Sequence, residues 1–337
     1  MTAVPGGTGT ESEPGTHPED GSPFAVHVRG LVKSYGGQPA VNGIDLDIRR
    51  GEIFALLGPN GAGKTTTVEI LEGYRSRDSG EVTVLGFDPG HQRAKLKSQI
   101  GIVLQSTGVE RYLTVTETIQ MYAGFYPDPR PVDEVIDLVG LGEKRRSRVN
   151  KLSGGQQRRL DVAIALAGNP ELLFLDEPTT GFDPSARRES WEVIKNLATL
   201  GKTVLLTTHY MDEAQYLADR VAVISAGQIV AEGDPATLGD REVARARVRY
   251  RLPDGPAPPA ELAGPTGADG FTEFAPGDVT AALHRLTGWA LDHKVSLDGL
   301  EVTRPSLEDV YLSLTDGAAS DGGGAGKPAK RGRGGRA

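Results

Sequence analysis

The chain has 337 residues, with 37 lysines and arginines against 45 aspartates and glutamates, and its net charge is −8. A chain of this length predicts about two domains, and the charge is unlike that of a polycation that coats nucleic acid. Because the sequence has no cysteine, disulfide frameworks, cysteine-bound metals and thiol nucleophiles are excluded. No apolar run approaches the ~18 residues needed to cross a bilayer, so we expect a soluble or peripheral protein.

The composition divides the chain into a folded middle and two polar ends. Residues 1–22 are rich in glycine, proline and acidic residues, and residues 317–337 form a glycine-rich basic tail, so both predict disorder. Residues 24–235 alternate β-rich runs with helical stretches, which predicts an α/β domain with a mostly parallel core sheet. Glycines interrupt residues 25–47, where we expect an edge of short antiparallel strands.

The core elements follow from apolar runs and helical periodicity. The expected core strands are Ile53–Leu57, Ile100–Leu104, Leu172–Leu175, Thr203–Thr207 and Val221–Ile224. The expected helices are Thr65–Glu72, Gly154–Ala167 and Pro184–Leu200.

Residues 242–315 predict a separate small α+β accessory domain. Residues 246–252 alternate apolar and basic side chains, which is typical of a strand with one buried face. Asp278 is expected to cap a helix that follows it. A strand over Leu300–Thr303 and a last helix over Ser306–Leu314 complete the predicted domain.

A glycine-rich run follows the first core strand. Its members are Gly58, Pro59, Asn60, Gly61, Ala62, Gly63, Lys64, Thr65 and Thr66. The run matches G-x-x-x-x-G-K-[ST], in which backbone N–H groups and a helix N-terminus surround phosphate oxygens. Lys64 is expected to reach the β- and γ-phosphates, and the Thr65 hydroxyl to coordinate Mg²⁺. The sequence therefore predicts an NTP-binding loop.

Two more features point to phosphate chemistry. The apolar strand Leu172–Leu175 ends in Asp176 and Glu177. At the carboxyl end of a buried strand, Asp176 suits a Mg²⁺ ligand, and Glu177 suits a base that polarises the attacking water. A second anion-binding helix terminus is predicted where Ser153, Gly154, Gly155 and Gln156 open a helix.

The order P-loop, LSGGQ and LLFLDEP resembles the nucleotide-binding domain of ATP-binding cassette (ABC) ATPases, and the resemblance spans residues 26–235. It implies a P-loop NTPase fold with an antiparallel edge subdomain and a helical subdomain. By resemblance, Tyr35 in KSYGG stacks on adenine, and Gln105 in GIVLQ senses Mg²⁺ and the attacking water. Asp183 in GFDP resembles the aspartate that contacts the opposite subunit, and His209 resembles the switch histidine at the γ-phosphate.

One P-loop and one LSGGQ in a single cassette do not form a complete ATP-hydrolysing site. The family resemblance implies a head-to-tail dimer of two copies, in which Ser153–Gln156 of one copy contact the ATP held by the other. The chain is then expected to be an ATP hydrolase that uses ATP and Mg²⁺. The segment from Ser106 to Tyr126 lies where the family docks its membrane subunit, and its apolar side chains suit a groove wall.

The C-terminal stretch Leu297–Thr315 resembles the extension of drug- and antibiotic-exporting ABC ATPases of the daunorubicin-resistance type. This resemblance implies an ATPase subunit that powers export of a drug, antibiotic or other hydrophobic molecule. The cargo would pass through a separate multi-span membrane permease, with this chain peripheral on the cytoplasmic face of the cell membrane. Two alternatives are an importer ATPase and a soluble ABC ATPase acting on ribosomes or nucleic acid. A single cassette without cysteine disfavours the second alternative, so no specific nucleic-acid partner is expected.

Overall fold

The computed structural model describes residues 21–103, 108–238, 246–252, 256–303 and 311. Several predictions fall outside the described residues: most of the N-terminal leader, Leu104 and Gln105, the helix expected over Ser306–Leu314 apart from Tyr311, and the C-terminal tail.

The described part of the chain contains strands and helices in the following order. The strands are β1 (Phe24–Tyr35), β2 (Gln38–Arg49), β3 (Ile53–Leu57), β4 (Ser79–Val84), β5 (Ile100–Val103), β6 (Leu172–Asp176), β7 (Thr203–Thr208), β8 (Arg220–Ser225), β9 (Gln228–Gly233), β10 (Arg247–Arg251), β11 (Phe271–Phe274) and β12 (Asp298–Thr303). The helices are α1 (Lys64–Leu71), α2 (Arg93–Lys97), α3 (Val115–Ala123), α4 (Val132–Leu138), α5 (Gly154–Leu166), α6 (Pro184–Thr199), α7 (Met211–Leu217) and α8 (Val279–Asp292).

The central sheet has the strand order β5-β6-β7-β3-β8-β9. Its first five strands are parallel, and β9 pairs antiparallel with β8. All residues of β3 and β7 are buried, because apolar clusters cover both faces of the sheet. The predicted α/β fold with a parallel core is therefore confirmed, and the five expected core strands lie within one residue of their predicted bounds.

The N-terminal edge corrects one prediction. β1 and β2 are twelve residues each, not short, and they form an antiparallel sheet in the order β2-β1-β4. Gly36 and Gly37 make the tight turn between them with positive φ. Gly43 does not end a strand: it is the extra residue of a bulge, between the pairs Leu31–Ile44 and Val32–Asn42. A glycine with positive φ bends a strand at a bulge and lets pairing continue on either side.

The loop between β3 and α1 is pressed between two neighbouring strands. A Cβ on Gly63, whose φ is 108°, would lie 2.4 Å from the carbonyl oxygen of Ala40 in β2. A Cβ on Gly58 would lie 2.5 Å from the carbonyl oxygen of Ile224 in β8. Only glycine fits this backbone path, so one strand from each of the two sheets restricts the shape of the loop.

The described residues after 245 contain a three-stranded antiparallel sheet in the order β11-β10-β12, together with α8. Val248 and Tyr250 of β10 are fully buried, as the alternating pattern predicts, and the Tyr250 hydroxyl donates to Leu262 O at 2.8 Å. Asp278 caps α8 by accepting the N–H of Ala281 at 3.0 Å. β11 was missed, because its four residues follow a proline- and glycine-rich stretch that carries no strand pattern. Every helix in the described ranges is too short or too polar to cross a membrane.

Candidate functional site

A cavity of about 460 Å³ opens at the carboxyl ends of β3 and β6. It is lined by Tyr35, Ala40, Pro59, Asn60, Gly61, Gly63, Lys64, Thr65, Thr66, Asp176 and Glu177. Gly58 and Ala62 belong to the same loop but are buried beneath the cavity wall. Except for Ala40, every lining residue was predicted as a site residue, so the fold brings the glycine-rich loop and the acidic pair together.

The only lysine of the cavity wall is held inside the loop. Lys64 is 7% exposed, and its Nζ donates to Gly58 O at 2.7 Å and Pro59 O at 3.2 Å. Burial lowers the pKa of the Lys64 ammonium, while the carboxylates of Glu177 and Asp176 oppose that effect. A buried cation that is hydrogen-bonded to neutral carbonyls and lines a cavity is suited to bind a strongly anionic group that enters it.

Asp176 is fixed by the next strand of the sheet. Its Oδ1 accepts a hydrogen bond from Thr207 Oγ1 at 2.5 Å, and Asp176 is paired with Thr207 in the register of β6 and β7. Thr65 is exposed at the start of α1 and lines the same cavity. Hydroxyl and carboxylate oxygens are ligands that Mg²⁺ accepts, and the ion commonly takes its remaining ligands from substrate phosphates and water. The residues present therefore fit a Mg²⁺–nucleotide pair.

Glu177 has a left-handed backbone with φ of 45°, which is unusual for a residue other than glycine. Its N–H donates to Thr207 O at 3.1 Å. Its Oε2 accepts from Thr180 Oγ1 at 3.1 Å, and its Oε1 lies 3.2 Å from His209 Nδ1. The carboxylate is thus held from two sides at the cavity wall, and His209, predicted as a site residue, reaches it directly.

The aromatic residue predicted to contact a base lies at the cavity edge. Tyr35 is 43% exposed. Lys33 Nζ and the Arg75 guanidinium lie 5.6 Å and 5.4 Å from its ring centroid. The mouth of the cavity therefore presents an aromatic ring beside two cations, which suits an aromatic group linked to phosphates.

The LSGGQ residues do not line this cavity among the described residues. Ser153 and Gln156 form a capping box: Gln156 N donates to Ser153 Oγ at 3.3 Å, and Ser153 N donates to Gln156 Oε1 at 3.1 Å. A Cβ on Gly154 would contact nothing within 4 Å, and one on Gly155 would lie 3.5 Å from Ala186 Cβ. Packing within this chain does not require either glycine, and the N-terminus of α5 is open.

Asp183 has a clear local role. Its Oδ1 accepts the N–H groups of Ser185 and Ala186 at 2.9 and 3.0 Å, which caps α6. Contact of Asp183 with a second copy stays a prediction, and so does the role of Gln105, which lies outside the described residues.

The sequence did not reveal two buried polar side chains that bind the segment around Glu177. Arg158 of α5 donates to Pro178 O and Asp176 O at 2.9 and 3.1 Å. Glu213 of α7 is fully buried and accepts from Thr179 Oγ1 at 2.7 Å and from Trp191 Nε1 at 3.0 Å. The available signal for Arg158 was an oppositely charged residue, Asp161, three positions later on the same helix face.

Glu72 adds a buried carboxyl group just after α1. It is 4% exposed, and burial, reinforced by the nearby carboxylates of Asp176 and Glu69, raises its pKa to about 8, with Lys97 opposing. Glu72 is therefore mostly protonated at neutral pH. In this neutral form it adds no negative charge at the end of α1.

The fold and the cavity together define a P-loop ATPase. A sequence profile described as "ABC transporter" matches residues 41–180, and one described as "ABC transporter domain-containing protein-like, C-terminal domain" matches residues 246–306. The chain is 38% identical over 312 residues to the "Daunorubicin/doxorubicin resistance ATP-binding protein DrrA" of Streptomyces peucetius, covering 88% of this chain and 94% of that protein. It belongs to the ABC transporter family and is an ATP-binding, ATP-hydrolysing subunit.

Two further relatives support this assignment. The chain is 38% identical over 305 residues to the "Nod factor export ATP-binding protein I" of Rhizobium meliloti (strain 1021), covering 86% of this chain and 88% of that protein. Among solved structures, the "Dimeric structure of a post-hydrolysis state of the ATP-binding cassette MJ0796 bound to ADP and Pi" matches with a TM-score of 0.55 and 27% identity, over 62% of this chain and 98% of that chain. The family resemblance drawn from the sequence is confirmed.

The raised pKa of Glu72 predicts a pH-dependent stability. The unfolded carboxyl ionises near its ordinary pKa of 4.5, whereas the folded one ionises near 8, so the free energy of unfolding falls as pH rises between these values and levels off above them. At 1.36 kcal/mol per pKa unit, the loss is at most about 5 kcal/mol. Glu72→Gln should flatten this profile and raise the melting temperature at about pH 8.

Urea unfolding followed by circular dichroism across this pH range, without nucleotide, measures the effect. Glu81→Gln, which changes an exposed carboxylate in β4, serves as the matched control and should keep the wild-type slope. A Glu72→Gln profile that runs parallel to wild type would contradict the assignment.

Proposed function

We propose that this chain powers export of a drug, antibiotic or other hydrophobic molecule through a separate membrane subunit. The observation that carries the proposal is the single cavity in which Lys64, Asp176 and Glu177 converge. The names of two relatives support this proposal: Nod factor export supports the direction of transport, and daunorubicin/doxorubicin resistance supports a drug as the cargo. The chain would sit peripherally on the cytoplasmic face of the cell membrane.

The residues of the cavity divide the binding of Mg²⁺-ATP among them. Lys64 and the glycine-rich loop meet the phosphates, because the ammonium and the backbone N–H groups are the donors there. Tyr35 meets the adenine at the cavity edge. Thr65, Asp176 and Gln105 would hold Mg²⁺, which neutralises phosphate charge when bound.

Glu177 is the proposed general base. A carboxylate held by Thr180 and His209 has a fixed direction, so it can accept a proton from the attacking water without first losing side-chain freedom. His209 orients Glu177 and, by family resemblance, contacts the γ-phosphate. These roles are matched to the positions of the side chains rather than to any one pKa.

The open N-terminus of α5 supports action on a second copy. Its capping box satisfies the backbone N–H groups of Ser153 and Gln156 internally, yet Gly154 faces open space. A helix N-terminus with exposed backbone is a ready anion site, and solved relatives include dimeric cassettes. In the proposed head-to-tail dimer, Ser153, Gly154, Gly155 and Gln156, together with Asp183, meet the ATP and the P-loop side of the partner.

We further propose two domains with separate tasks. Residues 24–235 form the ATPase domain, and residues 242–315 form an accessory α+β domain. The separate apolar cluster around Tyr250 supports this division. Tyr311, from the second range, packs against an apolar cluster of the central sheet, so the two domains are in contact there.

Removing the proposed base should separate binding from hydrolysis. Glu177→Gln should lower ATP turnover by about 100-fold or more while ATP binding persists, because the amide cannot accept the proton. The variant should accumulate as a dimer with Mg²⁺-ATP. Phosphate release and size-exclusion chromatography with and without Mg²⁺-ATP measure the two effects.

Lys64→Ala should instead weaken ATP binding by about tenfold or more, because a charge-assisted contact to phosphate is lost. Glu143→Gln and Lys144→Ala are the controls and should behave as wild type. They change two consecutive exposed residues that do not line the cavity. Undiminished turnover in Glu177→Gln, or wild-type affinity in Lys64→Ala, would overturn the assigned roles.

The surface for the membrane subunit is proposed at α3 and its flanks. Val115 and Ile119 are fully buried and belong to the core, so part of the predicted apolar set serves packing. Tyr112, Met121 and Phe125 remain 71%, 42% and 76% exposed. Large apolar side chains grouped at a surface favour docking of a protein partner.

Phe125→Ser should reduce recovery of the multi-span membrane protein about tenfold when the tagged chain is purified from host membranes in mild detergent. ATP hydrolysis by the isolated chain should stay within about twofold of wild type, because Phe125 is not among the residues that line the nucleotide cavity. Leu291→Ser, at a residue of α8 that is 79% exposed, is the control and should retain the partner.

Equal recovery with Phe125→Ser would place the docking surface elsewhere. Recovery of a solute-binding protein together with the membrane subunit would indicate an importer. Recovery of ribosomes or nucleic acid in its place would contradict the transporter assignment.

A further inference from the structure

The loop that carries Glu177 needs an external support. A residue with a side chain in the left-handed region costs free energy relative to an ordinary backbone and persists only when its surroundings hold it. Glu177 is in that region with φ of 45°. Its own N–H is bound to Thr207 O, and contacts to the backbone of the neighbouring residues add to that support.

One side chain, that of Arg158, binds the backbone carbonyl groups of the residues before and after Glu177. Arg158 Nε donates to Pro178 O at 2.9 Å, and its Nη2 donates to Asp176 O at 3.1 Å. Asp176 O belongs to the peptide group that precedes Glu177, and Pro178 O belongs to the peptide group that follows Pro178. A planar guanidinium whose N–H groups bind both carbonyls restricts the short backbone segment between them. The proline ring fixes one further torsion of that segment, so the direction of the Glu177 Cα–Cβ bond is restricted as well.

The guanidinium is itself held firmly. Arg158 is 8% exposed, and its Nη1 lies 3.7 Å from Asp161 Oδ2 one turn later on α5. Asp161 is 9% exposed. A buried arginine needs partners that satisfy its charge and its N–H donors. The ion pair with Asp161 therefore holds the guanidinium against α5.

We propose that Arg158 is a positioning residue that aims the Glu177 carboxylate by clamping the carbonyl groups of Asp176 and Pro178. The proposal rests on the proposed role of Glu177 as general base. Arg158 sits on the helix that LSGGQ opens, so the clamp connects that helix to the backbone segment that carries Glu177. Arg158 is not itself among the residues that line the nucleotide cavity. It contacts Asp176 only at the backbone carbonyl, while Thr207 holds the Asp176 carboxylate, so Arg158 should affect the chemical step and not ATP affinity.

Arg158→Lys tests the clamp, because lysine keeps the charge but cannot span two carbonyls with a planar fork. We expect kcat for ATP hydrolysis to fall about 10- to 100-fold through misplacement of the base, with KM and ATP affinity within about twofold of wild type. Arg159→Lys is the matched control: Arg159 is the next residue of α5 and contacts Gly140 and Glu189 instead. It should keep wild-type kcat.

A second measurement separates positioning from a general structural role. In a Glu177→Gln background, adding Arg158→Lys should change the residual hydrolysis rate by less than about twofold, because Arg158 acts through a carboxylate that is already gone. A purely structural role would lower the residual rate by the same factor as in the wild type, or would weaken ATP binding, and either result would overturn the proposal.

The experiments distinguish a wrong role for Glu177 from a wrong role for Arg158. If Glu177→Gln alone hydrolyses ATP at the wild-type rate, the proposed base is wrong, and the positioning role falls with it. If Glu177→Gln is slow but Arg158→Lys turns over like wild type, only the positioning role is overturned. Should Arg158→Lys not fold, as judged by circular dichroism and ATP binding, Arg158→Gln removes the buried charge and is tested in the same two backgrounds with the same expected outcomes.

Discussion

The site depends on one strand. β7 lies between β3 and β6 in the parallel sheet, and its register pairs Leu57 with Thr208 on one side and Asp176 with Thr207 on the other. The end of β3, from which the glycine-rich loop departs, and the end of β6, which delivers the acidic pair, are therefore held two strands apart at one edge. Because the strands are buried on both faces, this spacing resists change, and Thr207 adds a direct hydrogen bond to Asp176.

Around this fixed edge, the chain places its charges unequally. Lys64 and two carboxylates face one cavity, whereas the glycines that open α5 are not among its described lining residues. Buried polar contacts from two helices hold the intervening loop: Arg158 reaches it from α5, and Glu213 reaches Thr179 from α7. Each copy thus carries a P-loop half and an open signature half, which is the arrangement that the proposed head-to-tail dimer would complete.

Sequence motifs predicted most of the core and the cavity. Glycines at this spacing followed by a lysine are specific for a phosphate-binding loop, and fully apolar runs indicate buried parallel strands. The core strands and ten of the cavity-lining residues followed from that reasoning. The length of β1 and β2 did not, since Gly43 reads as a break in sequence and becomes a bulge only when a paired strand is present. Arg158 and Glu213 were missed for a similar reason: a charged residue on a helix looks solvent-facing until its packing partners are known.

The central claim is that LSGGQ acts on the ATP of a second copy, and mixing two inactive variants tests it directly. Lys64→Ala damages the P-loop, and Gly154→Asp places a negative charge where phosphate would bind, so each alone should be inactive. If the signature acts in trans, a mixture contains dimers with one intact composite site and should regain about a quarter of wild-type ATP hydrolysis, since about half the dimers are mixed and each has one of two sites. A mixture that stays as inactive as its components would contradict the account.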